Sequence, residues 1–305
     1  MGQRVADILS LVWNHPANRE AKLRATLRAL VWQLYKRATG GTVDVTLPSG
    51  MRLRVHPGSA VGGLAVYCSG RADFDETAFL EVYLRPGDTF LDVGANVGLY
   101  TLLAAGWTGP KGRVVAFEPS SDSRGRLAEN VALNHLEQRV QIVGSAVGSE
   151  TGTVRFVTGQ DCQNRIHTDL DHGAYEELPC VRLDEALAGE RIALAKMDVE
   201  GAEALALRGA TELLKQANPP VWLLEVNDSL KKYGADAQGL VTWLDRIGYD
   251  LGTYSAETRT VDLRPNAWRG SQNAFAIARA RQTELTQRIP GLTFAAEATA
   301  LRRAA

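Results

Sequence analysis

From Asp88 onward the chain repeats one unit, a short apolar run, a turn and an amphipathic stretch, and this alternation constrains the fold more than any other feature. Thr89–Val93, Arg113–Phe117, Val140–Val147, Ile192–Met197 and Val221–Val226 read as strands. Val97–Ala105, Ser121–Leu133, Ala202–Lys215 and Ala237–Ile247 read as the helices between them. Runs such as Val221-Trp222-Leu223-Leu224 lack polar alternation, as expected of strands covered on both faces. Strands separated by helices favour a mostly parallel, helix-wound sheet, so the expected class is α/β, Rossmann-like. Late strands are expected near Tyr249–Tyr254 and Ala274–Ala278, and a hairpin from Gly148 to Val157.

Before this unit the pattern differs. Residues 1–39 read as two helices broken at His15-Pro16, and Leu23, Leu27, Leu30, Val31 and Leu34 draw one apolar stripe. The stripe is expected to pack on the core or on another copy of the chain. A basic amphipathic helix touching a membrane surface is the sharper alternative. Val43, Val45, Leu47, then Met51, Leu53 and Val55 alternate around Pro48-Ser49-Gly50, a β-hairpin signal. Glycines 58, 62, 63 and 70 suggest a loop, and a helix is expected from Asp75 to Leu84. The reading divides the chain into an extension (1–85), the α/β domain (86–280) and a C-terminal tail (281–305) that lacks a strong period.

Bulk properties exclude several classes. The net charge of −1 gives no global attraction to nucleic acid, so a nucleic-acid partner is not expected. Cys68, Cys162 and Cys180 form no CxxC pair and read as reduced thiols rather than a disulfide framework or zinc site. No apolar run reaches the ~18 residues of a membrane span. The first residues are not expected to act as a secretory signal, and a cytoplasmic location is expected.

The first strand of the α/β unit ends Leu91-Asp92-Val93-Gly94-Ala95-Asn96-Val97-Gly98. In open α/β sheets, ligands bind at the carboxyl ends of strands, beside the switch in strand order. The turn is neither GxxxxGK[ST] nor GxGxxG, so it fits neither a phosphate nor a dinucleotide binder. Asp92 disfavours a pyrophosphate and suits a cationic group, such as the amino group of an amino-acid moiety. The next strand ends in Glu118, placed to accept hydrogen bonds from a ribose diol. Ser145 and Ala146, at the third strand end, leave room for a flat base. Lys196-Met197-Asp198-Val199-Glu200-Gly201-Ala202-Glu203 collects ionisable groups where a buried strand meets a helix, so those charges are paired or functional. Glu200 and Glu203 are also explained as favourable charges at a helix N-terminus. Asp198 and Glu225, on neighbouring strand tips, can hold a hard divalent cation such as Mg, deprotonate a hydroxyl, or both.

These residues resemble the FkbM family of methyltransferases. The resemblance rests on Asp92, Gly94, Asn96, Gly98 and Thr101, then Phe117-Glu118-Pro119, Leu127-Ala128-Glu129-Asn130 with Asn134, Arg182-Leu183-Asp184, Lys196 to Glu203, and Leu224-Glu225, in family order. It implies a class I methyltransferase sheet with a reversed last strand, S-adenosylmethionine as donor, and O-methylation of a sugar, glycan or other natural-product hydroxyl. It puts Asp92, Gly94, Asn96 and Gly98 around the methionine part of the donor, Glu118 on its ribose, and Asp198 near the transferred methyl. A divalent metal on Asp198 and Glu225 is a positional analogy with other sugar and catechol O-methyltransferases, not a motif match. Asp198 is the first candidate base and His167 the second. The polar stretch 158–180 (Asp161, Asn164, Arg165, His167, His172) is expected to cover the acceptor. The alternatives are a nucleotide (NAD)-dependent oxidoreductase, argued from Glu118 alone, and a non-catalytic cofactor-binding module. A nucleic-acid methyltransferase fits less well, because Asn218-Pro219-Pro220 is followed by Val221 where base amino-group methylation uses an aromatic.

Overall fold

The apolar runs that lack polar alternation become the central strands, and what surrounds them follows from which face each residue meets. The computed structural model describes residues 2–168, 171 and 175–295. Two helices, α1 (Gly2–Asn14) and α2 (Lys22–Thr39), precede a hairpin of β1 (Val43–Thr46) and β2 (Arg52–Val55), then α3 (Ala60–Tyr67) and α4 (Phe74–Tyr83). The repeat continues as β3 (Thr89–Val93), α5 (Leu99–Trp107), β4 (Arg113–Phe117), α6 (Ser121–Leu133) and β5 (Val140–Val143). Next come β6 (Ala146–Val147), β7 (Gly152–Val157), β8 (Arg165–Ile166), β9 (Glu176–Val181) and α7 (Leu183–Ala186). The core resumes with β10 (Leu194–Met197), α8 (Glu203–Arg208), α9 (Thr211–Lys215), β11 (Val221–Glu225), α10 (Ala237–Arg246) and β12 (Tyr249–Ser255). It closes through β13 (Thr260–Asp262), β14 (Asn273–Ala278), α11 (Gln282–Arg288) and β15 (Thr293–Phe294).

The large sheet has the order β15-β13-β12-β14-β11-β10-β3-β4-β5. Strands β11, β10, β3, β4 and β5 are parallel, and β14 inserts antiparallel between β11 and β12. This is the Rossmann-like class I methyltransferase sheet with its last core strand reversed. Strand order switches between β3 and β10, which opens a crevice at their carboxyl ends. Side chains alternate across the sheet. Leu91, Val93, Ala195 and Met197 pack on one face with α8 and α10 residues, while Phe90 and Leu194 pack on the other with α4 and α5 residues. Asp92 and Lys196 are paired in register and fall on the second face, so two charged groups enter the apolar layer beneath α5.

The hairpin and its register agree with the sequence pattern. It is held against α6 by side chains from the motif around Asn130. Asn130 Oδ1 accepts the Arg54 N–H at 2.6 Å, and Asn134 Oδ1 accepts the Arg52 N–H at 2.7 Å, covering the free edge of β2. Asn130 Nδ2 also donates to the Val97 carbonyl at 2.9 Å, which ties the clamp to the glycine turn.

Three expectations are corrected. The stripe Leu23, Leu27, Leu30, Val31 and Leu34 does not pack on the core of this chain; Ala25, Ala29 and Trp32 on the opposite face do. Small residues let α2 approach α3 closely, and the bulkier stripe is left outside. The stretch read as a glycine loop contains α3, capped by Ser59, whose side chain accepts the Gly62 N–H at 3.0 Å. No hairpin joins 146–147 to 152–157; β6 pairs in parallel with β9, and β7 lies antiparallel to β9. The tail forms α11, and its described residues 279–295 are anchored by long-range contacts. Arg281 donates to the Pro219 carbonyl at 2.6 Å, Leu285 and Ile289 are buried, and β15 joins β13.

Candidate active site

The glycine turn leaves β3 at the switch point. Gly94 has φ +82°, a left-handed conformation that glycine adopts without strain, and a Cβ there would collide with the Asp198 carbonyl oxygen. Gly98 has φ +92°, and a Cβ would meet Leu127 at 2.5 Å. Asn96, also left-handed at φ +50°, is steadied by its own Oδ1, which accepts the Val97 N–H at 2.7 Å. These turns bring the backbone against the tip of β10 and open a cavity of about 280 Å³.

Asp92, Gly94, Asn96, Glu118, Ser145, Ala146, Asp198 and Glu225 all line this cavity. Gly98 does not line it; it shapes the start of α5 behind the turn. Asp92 is buried, its Oδ2 accepts the Thr101 hydroxyl at 2.6 Å, and its Oδ1 has no hydrogen-bond partner among the described residues. Glu118 accepts the Asn96 N–H at 2.8 Å and the Ser120 N–H at 2.9 Å, yet burial pushes its carboxyl up to about 7.

Lys196, which the sequence reading left without a role, organises the centre. Its Nζ donates to Asp198 Oδ2 at 2.9 Å and lies 4.8 Å from the centre of the Tyr100 ring. Tyr100 in turn donates to Asp73 Oδ2 at 2.8 Å. Burial alone would lower the Lys196 ammonium, but Asp198 and Asp92 outweigh it and the net shift is upward. Its signal in the sequence is a lone cation within the apolar run Leu194-Ala195-Lys196-Met197.

At the Asp198 end of the Lys196–Asp198 pair, three carboxylates gather. One carboxylate oxygen each from Asp198, Glu203 and Glu225 lie within 4.8 Å of one another. Glu203 Oε1 accepts the Val199 N–H at 2.9 Å, which fixes the turn into α8, while its Oε2 is buried without a partner. Glu225 Oε1 accepts from Asn227 at 2.8 Å, and its Oε2 is likewise buried, with no hydrogen-bond partner among the described residues. Burial, then repulsion from Asp198, Glu203 and Glu200, raises Glu225 to about 8; burial raises Glu203 to about 7.

The 158–180 stretch reaches the cavity through Cys162, Asn164 and Ile166. His167 does not: its ring packs edge-on against Tyr175 at 5.2 Å and is not among the cavity-lining residues. Arg165 pairs with Asp171 instead of lining the cavity. His172 and the side chain of Asp161 lie outside the described residues.

Residues 92–251, more than half of the 305, match the model of the methyltransferase FkbM domain. The chain belongs to the FkbM methyltransferase family. The FkbM match begins at Asp92 and ends within β12, so it takes in every cavity-lining acid on the β3, β4, β10 and β11 tips. Among relatives, the hexuronic acid methyltransferase AglP of Haloferax volcanii is 28% identical over 151 residues, 48% of this chain and 60% of AglP. The 31-O-demethyl-FK506 methyltransferase FkbM of Streptomyces tacrolimicus is 29% identical over 178 residues, 47% of this chain and 67% of that one. A segment of the AMB antimetabolite synthetase AmbE of Pseudomonas aeruginosa is 31% identical over 165 residues, 46% of this chain but 7% of AmbE. The chain therefore spans less than two thirds of AmbE and AglP. A solved FkbM methyltransferase from Methylobacillus flagellatus superimposes with a TM-score of 0.41 at 17% identity, covering 71% of this chain and 52% of that one.

Proposed function

We propose that the protein transfers a methyl group from S-adenosylmethionine to a hydroxyl of a sugar, glycan or other natural-product acceptor. One observation carries the reading: Asp92, Gly94 and Glu118 meet Asp198 in a single cavity at the strand-order switch. The residues fit the donor. The partnerless Asp92 Oδ1 suits the amino group of the methionine part, Gly94 allows close backbone approach, and Glu118 suits a ribose diol. When bound, the donor supplies an electrophilic methyl on a sulfonium.

The chain's own residues then act on the acceptor. Asp198, paired with Lys196 and still 38% exposed on its side chain, accepts the acceptor hydroxyl's hydrogen bond and takes up its proton. Positioning contributes as well: Lys196, Tyr100 and Asp73 fix the Asp198 carboxylate from behind. The stretch holding Asn164 and Ile166 covers the acceptor side of the cavity. The relatives' names, hexuronic acid and 31-O-demethyl-FK506 methyltransferase, support an oxygen-rich acceptor.

The test is Asp198→Asn, assayed with isotopically labelled donor against an acceptor pool. Turnover should fall roughly 10²- to 10⁴-fold while S-adenosylhomocysteine affinity holds; wild-type turnover would remove Asp198 from the chemistry. Calorimetric titration with S-adenosylhomocysteine and with NAD separates this reading from an oxidoreductase. Cofactor binding without transfer to any acceptor would favour a binding module. The paired, partnerless oxygens of Glu203 and Glu225 favour one second reading, that Asp198, Glu203 and Glu225 hold a divalent cation through oxygen ligands. Undiminished turnover in excess EDTA would reject it.

A further inference from the structure

The outer face of α2 is apolar and, among the described residues, uncovered. Leu23 is 77% exposed, Leu27 62%, Val31 55% and Leu34 68%, and Leu11 and Trp13 at the end of α1 are also exposed. Lys22 sits 5.4 Å from the Trp13 ring, which places that tryptophan at the start of the leucine stripe. Single exposed leucines are ordinary on a soluble protein, but a contiguous set on one helix face marks an interaction surface. Among the described residues nothing packs on this face. The opposite face of the same helix is already committed, through Ala25, Ala29 and Trp32.

Charge selects the occupant. Residues 1–39 carry seven Lys or Arg against two Asp or Glu, a net of +5 in a chain whose total is −1. At about 100° per residue, Arg24 and Arg37 flank the stripe on either side, and both are exposed. Arg28 is not part of this rim, because its guanidinium donates inward to the Val66 and Tyr67 carbonyls at 2.6 and 3.1 Å. A second copy of the chain would bring one strongly positive segment against another. An anionic bilayer answers both halves of the surface: acyl chains for the leucines, lipid headgroups for the basic rim, and the headgroup boundary for Trp13 and Tyr35. Among the described residues no helix is long and apolar enough to cross a membrane, so the contact would be peripheral.

We propose that α2, with the end of α1, seats the protein on an anionic membrane surface. Helix α2 packs on α3, and α3 carries Val61 and Leu64 of the cavity lining. Docking through α2 therefore holds the cavity within one helix layer of the lipid.

Flotation of the full chain with vesicles tests this without any activity readout, so it fails or succeeds independently of the methyl-transfer reading. The chain should float with phosphatidylcholine vesicles that contain phosphatidylserine and stay behind with phosphatidylcholine alone. The double variant Leu27→Glu with Leu34→Glu should weaken flotation by roughly tenfold or more. Its circular dichroism and S-adenosylhomocysteine affinity should match wild type, since both leucines are largely solvent-exposed. Arg24→Gln with Arg37→Gln should weaken binding to the anionic vesicles alone, by roughly fivefold or more. Wild-type chain that does not float, or a leucine variant that floats as wild type does, overturns the proposal. So does a dimer in sedimentation equilibrium that the leucine variant dissociates while neither protein binds vesicles.

Discussion

The two walls of the cavity are built on different electrostatic terms. On the β3–α5 wall, Asp92 has Lys196 as register neighbour and Thr101 as hydrogen-bond donor, and the cation is backed by Tyr100 and Asp73. On the β10–β11 wall, Asp198 leans on the same lysine while Glu203 and Glu225 crowd it with two buried, partnerless oxygens. The first wall leaves one buried carboxylate oxygen, Asp92 Oδ1, without a hydrogen bond beside a cation, whereas the second gathers three carboxylates and leaves two such oxygens. A site that places a fixed ligand needs the first kind of wall, and one that exchanges protons or cations with a changing acceptor needs the second.

The largest test of this contrast is Gly94→Ala, where a methyl must enter the Asp198 carbonyl with φ held at +82°. Strain of about 1–3 kcal/mol plus that clash should weaken S-adenosylhomocysteine binding by at least tenfold or so, read by calorimetry. Next comes Lys196→Met, which leaves Asp92 and Asp198 without their shared cation. A loss of about 2–4 kcal/mol is expected in urea unfolding, larger than for Asp198→Asn, which leaves the lysine still facing Asp92. Equal losses would mean that the lysine serves only Asp198.

Glu225→Gln addresses the acidic wall through pH. Its carboxyl titrates near 8 when folded and near its ordinary 4.5 when unfolded, so the folded state holds the extra proton in between. That contribution is fully present below about 4.5 and is lost as pH rises through about 8. Wild-type melting temperature should therefore fall between those values, and Glu225→Gln should flatten the fall. An unchanged slope would assign the repulsion elsewhere. The smallest effect is expected from His167→Ala, which sits off the cavity beside Tyr175 and should leave turnover within about twofold.

What the sequence disclosed follows the same division. Strands with unbroken apolar runs, the glycine turn and the acids at 92, 118, 198 and 225 were legible, because each is a local pattern whose place in a parallel sheet is set by the strand-order switch. The Asp73–Tyr100–Lys196 network was not, since it joins three elements far apart in the chain. Helix α3 hid behind Gly62 and Gly63, which lower helix propensity, though Gly62 lets it pack closely beside Val55. Residues 146–157 were misread because β6 and β7 both pair with the distant β9, and turn residues between them cannot report that. The α2 stripe showed amphipathicity correctly but not its direction; periodicity gives a face, and only packing shows which side of the helix is inside.

The Asn130 bridge bears on how far the protein can be shortened. The domain match starts at Asp92, yet Asn130 spends its amide between the Arg54 N–H and the Val97 carbonyl in the glycine turn. A fragment cut at the start of the match would strip the hairpin from α6, wet the Leu53 and Val55 side of the core, and leave the turn's brace half unanchored. A stable fragment should therefore begin ahead of Val43, making the hairpin an integral part of the α/β body.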